Sequence, residues 1–235
     1  MTINVENTLS SDLQFAIPGV AFAPGSTTIP AGGSGSVSFT AHNPGTYLYE
    51  SLGDAGRQAE VGLAGPLIVR SGTPGQAYDA ASSAYDSERL MVLAEIDPDL
   101  NAATLTPGAL AAFDMATWAP EYRLINGRAY PDTGTISAAA GDKVLLRYVN
   151  AGSEHVPMTM LGLGATIVGR EASLLTTPLG FTSETIPAGS TADAIITVPA
   201  GASSGDRFAI YDRHVRLVNG ASAGIGGRIR FIEVP

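Results

Sequence analysis

Cysteine is absent from this 235-residue sequence, and histidine occurs three times, at His42, His155 and His214. Without cysteine there can be no disulfide, no thiolate metal site and no thiol nucleophile. Basic residues are scarce, with Lys+Arg 13 against Asp+Glu 22 and a net charge of −9. That balance argues against nucleic acid, which needs clustered Lys and Arg to meet phosphates. The apolar run of roughly 18 residues that a membrane span requires is missing too. The opening "MTINVENTLSS" has no basic stretch followed by an apolar one, so it does not read as a signal peptide. Few lysines and many Ser, Thr and Gly residues suggest an exported chain, and the expected location is extracytoplasmic, periplasmic or secreted.

What is present is turn chemistry and short apolar runs. Gly (28) and Pro (15) are abundant without a collagen-like period, and hydrophobic content is 45%. "GDKVLLRYVNAG" reads as a strand with Lys143 and Arg147 outward; "LINGRAY" reads as a turn; "TADAIITVPAG" and "GRIRFIEVP" read as further strands. One helix is expected, in "TPGALAAFDM", with Thr106 as N-cap and Pro107 at the first helical position. The pattern supports an all-β chain of two Greek-key β-sandwich or barrel domains.

The chain also repeats itself. "TIPAG" stands at Thr28–Gly32 and again at Thr185–Gly189. Both copies precede a strand-like run, a small-residue turn and an aromatic stretch closed by an acid, Glu50 in "TYLYE" and Asp212 in "RFAIYD". Upstream, "VENTLSSDLQFAIPG" parallels "YVNAGSEHVPMTMLG", pairing Asn7 with Asn150. The spacing widens along the chain, as loop insertions make it do. The expected organisation is a partial domain at 1–72, a linker at 73–88 and a complete domain at 89–235. In this alignment Met1 already meets Val144, so the first repeat is expected to lack its initial strands.

Three segments resemble the multicopper oxidase family: "PGTYLYESLGDAGRQAEVGLAGPLIV", "LINGRAYPDTGTISAAAGDKVLLRYVNAG" and "YDRHVRLVNGASAGIGGRIRFIEV". The resemblance implies cupredoxin-like domains and, for ordinary members, copper-dependent oxidation with electrons passed to oxygen. The ligand positions it implies are filled otherwise. Gln14 and Ala16 stand for one His-x-His, and Glu50 and Leu52 for another. Val156, Thr159 and Leu161 take further His positions, and Arg228 takes that of the final Met. A blue-copper centre needs a Cys thiolate and two His, and a trinuclear cluster needs many imidazoles. Middle domains of three-domain members commonly carry no copper, so the second repeat need not have lost ligands.

The other polar residues read as ordinary surface: His42 in a turn, His155 beside Glu154, His214 near Arg213 and Arg216, and "EIDPDL" (Glu95, Asp97, Asp99) as a solvated turn rather than a cation loop. No catalytic residue, metal ligand or cofactor is assigned, and the residue count reads against an enzyme. The expected function is a non-catalytic structural or protein-interaction module, part of a larger assembly. The alternative is a fragment or subunit of a multicopper-oxidase-type metalloenzyme whose ligands lie elsewhere. Glu50 and Asp212, at matching strand ends, are the candidate interaction edge. The expected partner is a protein, or a second copy, covering the exposed edge of the first domain.

Overall fold

The computed structural model describes residues 1–22 and 27–235. The first unit holds β1 (Thr2–Glu6), β2 (Leu13–Ala16), β3 (Thr28–Ile29), β4 (Ser34–Ser38), β5 (Gly45–Ser51) and β6 (Ala64–Val69), with a one-turn helix α1 (Arg57–Glu60). The second opens with β7 (Ser87–Ile96), α2 (Pro98–Ala103), α3 (Ala109–Ala112), β8 (Tyr122–Ile125) and β9 (Thr135–Ser137). It continues with β10 (Lys143–Asn150), β11 (Val156–Met160), β12 (Gly164–Arg170), β13 (Ser173–Phe181), β14 (Ser183–Ile186), β15 (Thr191–Thr197), β16 (Arg207–Asp212) and β17 (Ile229–Glu233).

Two sheets form the second unit, in the orders β13-β12-β15-β10-β7-β8 and β14-β11-β16-β17-β9. Met91, Leu93, Leu146, Tyr148, Met158 and Ile210 fill the space between them. The first unit has the same plan with fewer strands: β1-β4 against β3-β2-β5-β6. Its core is small, built on Phe15, Ile17, Val37 and Phe39 with Ile3 and Val5 partly buried beside them. Thus the all-β, two-unit cupredoxin-like fold holds, and the first unit has no counterpart of β7 to β9 among the described residues.

The repeated pentapeptide has a structural reason. Asn7 Nδ2 donates to the carbonyls of Ser11 (3.0 Å) and Ile29 (3.0 Å). Asn150 Nδ2 donates to those of Glu154 (2.8 Å) and Ile186 (2.9 Å), at matching places in the repeat. Each buried asparagine therefore ties the end of a core strand to the isoleucine of its "TIPAG". Gly32 and Gly189 turn the chain there with φ of 65° and 68°, where a side chain is disfavoured.

Several local expectations change. Asp97, not Thr106, caps a helix: its Oδ1 accepts from the N–H groups of Asp99 (2.9 Å) and Leu100 (3.2 Å), with Pro98 in the first turn. Its other oxygen accepts from Ala119 N (2.7 Å), and both Glu95 and Asp97 are buried rather than solvated. The helix in "TPGALAAFDM" is the single turn α3, preceded by a left-handed Gly108. Within residues 73–88, Ala77 and Tyr78 join Leu145, Val168 and Ile195 in a small cluster over the second unit's outer face.

Candidate functional site

Strand β16 ends at Asp212, and the backbone N–H of Asp212 donates to the carbonyl of Arg228, just before β17 (3.0 Å). This pairing puts a guanidinium beside a carboxylate inside the second unit. Arg228 Nη1 reaches Asp212 Oδ2 at 3.1 Å and Glu154 Oε2 at 3.4 Å. Its Nη2 donates to the carbonyl of Ala94 (3.0 Å) and pairs with Glu95 on β7. Glu154 in turn accepts a fork from Arg123 at 2.8 and 2.7 Å and pairs with Arg216. Arg123, Arg216 and Arg228 thus balance Glu95, Glu154 and Asp212. Burial pushes the Arg228 guanidinium down to about 9, leaving it charged at neutral pH. Burial also pushes the Asp212 carboxyl up, opposed by the His214 backbone N–H that donates to it at 2.9 Å.

A second ionic cluster closes the seam between the units. Arg147 points away from the second unit's core, as its strand parity requires, but the first unit covers it to 1% exposure. Its Nε pairs with Glu88 at 2.9 Å and its Nη1 approaches Asp193 at 3.5 Å. Thr46 of β5 donates to Asp193 (2.6 Å) while accepting from Arg147 (3.1 Å), and Tyr78 donates to the other Asp193 oxygen (2.6 Å). Burial raises the Asp193 carboxyl, against the pull of Arg147, and raises the Tyr78 phenol well above its ordinary value. Arg57 adds a further tie, donating Nε and Nη2 to the Phe113 carbonyl (3.2 and 3.0 Å).

The structure keeps the two candidate edge residues apart in role. Asp212 is buried beneath Arg228. Glu50 is half-buried and lines a cleft of about 360 Å³ with Arg57, Glu60, Gly152 and Ser153. Its carboxyl is pushed up by burial, and it makes no side-chain hydrogen bond or ion pair among the described residues. Ser51, not Glu50, holds the place of Asp212: its N–H donates to the Leu63 carbonyl (2.9 Å) as that of Asp212 does to Arg228 (3.0 Å), and it pairs with Phe15 as Asp212 pairs with Met158. Of the histidines, His155 Nδ1 accepts from Ala188 N (3.0 Å), and His214 lies 3.4 Å from Asp212.

Arg147, Asp193, Glu95 and Glu154 escape a reading by sequence because each looks like an ordinary surface charge on a strand or loop. The one available signal was Arg147 inside the apolar stretch "VLLRYV" of β10.

The fold carries a class with it. No family model matches the chain, and no curated protein matches it. Among solved structures, the blue copper oxidase from Nitrosomonas europaea superposes with a TM-score of 0.83 at 20% identity, over 99% of this chain and 72% of that one. The multicopper oxidase mgLAC gives 0.82 at 23% identity, over 99% and 73%. A copper nitrite reductase from Nitrosomonas europaea gives 0.71 at 18% identity, over 100% and 79%. The chain therefore has the cupredoxin fold of multicopper oxidases and copper nitrite reductases.

These neighbours correct the exclusion of enzymatic activity drawn from residue counts. Their fold serves oxidases and a nitrite reductase across nearly the whole of this chain, and a count of cysteines and histidines does not establish inactivity. Copper itself is tested by the donor set. No group of three or more His, Asp or Glu among the described residues could hold a metal. At the strand end closed by Asp212, the partner is a buried guanidinium, a cation in the place where a metal would need donors. The residues present do not fit a copper centre.

Proposed function

We propose that this chain is a subunit or segment of a multicopper-oxidase-type assembly outside the cytoplasm, supplying cupredoxin framework and contact surface while copper ligands come from elsewhere in that assembly. Its two units are residues 1–72 and 89–235, joined by 73–88. Glu50 belongs to the interaction edge, and Asp212 closes β16 of the second unit. The observation that carries this reading is Arg228 with its carboxylates, Asp212, Glu95 and Glu154, at the end of the sandwich where the family resemblance implies donors to a metal. A charge-balanced, buried cluster fixes strand ends and leaves no carboxylate free for Cu²⁺. The purified chain, incubated with Cu²⁺ and desalted, is expected to retain far less than one copper per chain by elemental analysis. Stoichiometric copper surviving desalting overturns the reading.

A further inference from the structure

A cavity of about 260 Å³ lies between the two units. The first unit walls it with Glu60 at the end of α1, with Val61, and with Ala64 on β6. The second unit contributes Val92 and Ala94 of β7 and Asn101 of α2. Met91 and Leu93 point into the sandwich core, so strand alternation turns Val92 and Ala94 outward to this seam. The cavity therefore has apolar walls, and no Lys, Arg or His lines it among the described residues.

Two polar side chains in this lining are left wanting a partner. Glu60 accepts from the Ser153 hydroxyl but makes no ion pair among the described residues. Burial raises its carboxyl against that hydroxyl's pull, and the like charge of Glu154 raises it further. Arg57, one turn earlier on α1, gives its guanidinium to the carbonyls of Phe113 and Asp54 instead. In the adjoining cluster Arg123, Arg216 and Arg228 are matched by Glu95, Glu154 and Asp212, so Glu60 is one acid more than those arginines balance. Glu95 also lines the cavity, but Arg228 and the Ser153 N–H (3.0 Å) already hold it. The second unsatisfied group is Asn101, whose Oδ1 is buried without a hydrogen-bond partner.

We propose that this cavity binds a small free aliphatic amine in its protonated form, with the ammonium paired to Glu60, Asn101 as second acceptor, and the alkyl body against Val61, Ala64, Val92 and Ala94. An alkylammonium only donates, and it brings a positive charge. It therefore supplies what an unmatched carboxylate and an unpaired carbonyl oxygen both lack. Its alkyl body covers apolar wall that is otherwise wet, which is how pockets of this kind gain affinity. A bare metal ion fits less well, because hard cations take six or more oxygens. No group of three or more His, Asp or Glu among the described residues could supply them. The proposal stands apart from the subunit reading, which copper retention decides.

Isothermal titration calorimetry on the full chain tests this with n-butylammonium chloride. Two controls divide the ligand: n-butanol keeps the alkyl body without the charge, and ammonium chloride keeps the charge without the body. Butylammonium is expected to bind about tenfold more tightly than either. Glu60→Gln keeps an acceptor for Ser153 and is expected to weaken butylammonium about tenfold while leaving butanol unchanged. Ala94→Leu fills the cavity and is expected to abolish butylammonium binding. If Ala94→Leu fails to fold, Glu60→Gln decides alone. No heat of binding, butylammonium no tighter than either control, or an affinity untouched by Glu60→Gln overturns the proposal. Tighter binding of Nα-acetyl-lysinamide than of butylammonium also overturns it, in favour of a lysine carried by another polypeptide.

Discussion

At the end of β16 a buried carboxylate has a guanidinium opposite it; at the equivalent place in the first unit, Ser51 stands opposite Leu63. The same Asn-to-isoleucine tether holds both units, yet one has a filled sandwich with balanced buried ions and the other an open cleft. The difference follows from the strands between them. β7 brings Glu95 to Arg228 along with Met91 and Leu93 to the core, so the element that completes the sheet also completes the charge balance. Buried ions are tolerable where every partner is present. Where the strand is absent, the equivalent positions carry no charge, Ser51 and Leu63.

Cutting the chain tests the comparison most severely. Residues 87–235 are expected to fold alone with a cooperative thermal transition, and residues 1–72 to show none, because the small cluster of Phe15, Ile17, Val37 and Phe39 and the open sheet edges cannot offset the entropy of ordering that segment. A cooperative melt from the shorter fragment would erase the distinction between the units.

Next in size is Arg228→Met. Removing the cation leaves Glu95 and Asp212 buried without it, and the expected cost is about 3–5 kcal/mol. Urea denaturation of the full chain reads it as a lowered midpoint. The loss should shrink at acid pH, where the orphaned carboxylates take up protons.

The seam is probed by Thr46→Val, which deletes the 2.6 Å bond to Asp193 and an acceptor for Arg147 while keeping the shape. An expected loss of about 1–3 kcal/mol in the same assay would show that the ions between the units depend on the first unit. No change would mean that Tyr78 and Arg147 satisfy Asp193 by themselves.

The smallest effect is Glu50→Gln. The folded-state carboxyl is raised by burial, so its ionised form opposes folding. Wild type therefore gains stability as pH falls through the raised folded value towards the ordinary glutamate value. The glutamine variant is expected to be more stable at neutral pH by about 0.5 kcal/mol or less, since Glu50 is partly solvated. The two should converge below the ordinary glutamate value. A variant less stable than wild type at neutral pH would show that Glu50 has an attractive partner.

Much of this architecture was legible in the residues. The doubled "TIPAG" and the paired Asn7 and Asn150 mark positions where backbone geometry demands a particular residue, so the pattern survives in one dimension; the acids closing the two aromatic strands do not match in space, since Ser51 stands where Asp212 does. The place of β1 beside an open edge could also be read, because strand order repeats where the sequence does. The ionic clusters could not. Arg147 alternates with apolar neighbours like any solvent-facing strand residue, and only the docking of β5 over it makes it a buried ion. Glu95 and Asp97 look like a solvated turn until β17 brings Arg228 against one and α2 takes the other as its cap. Local periodicity is written in the chain because each strand and turn obeys it alone; which charges are buried, and which find partners, is decided only when distant strands meet and exclude water.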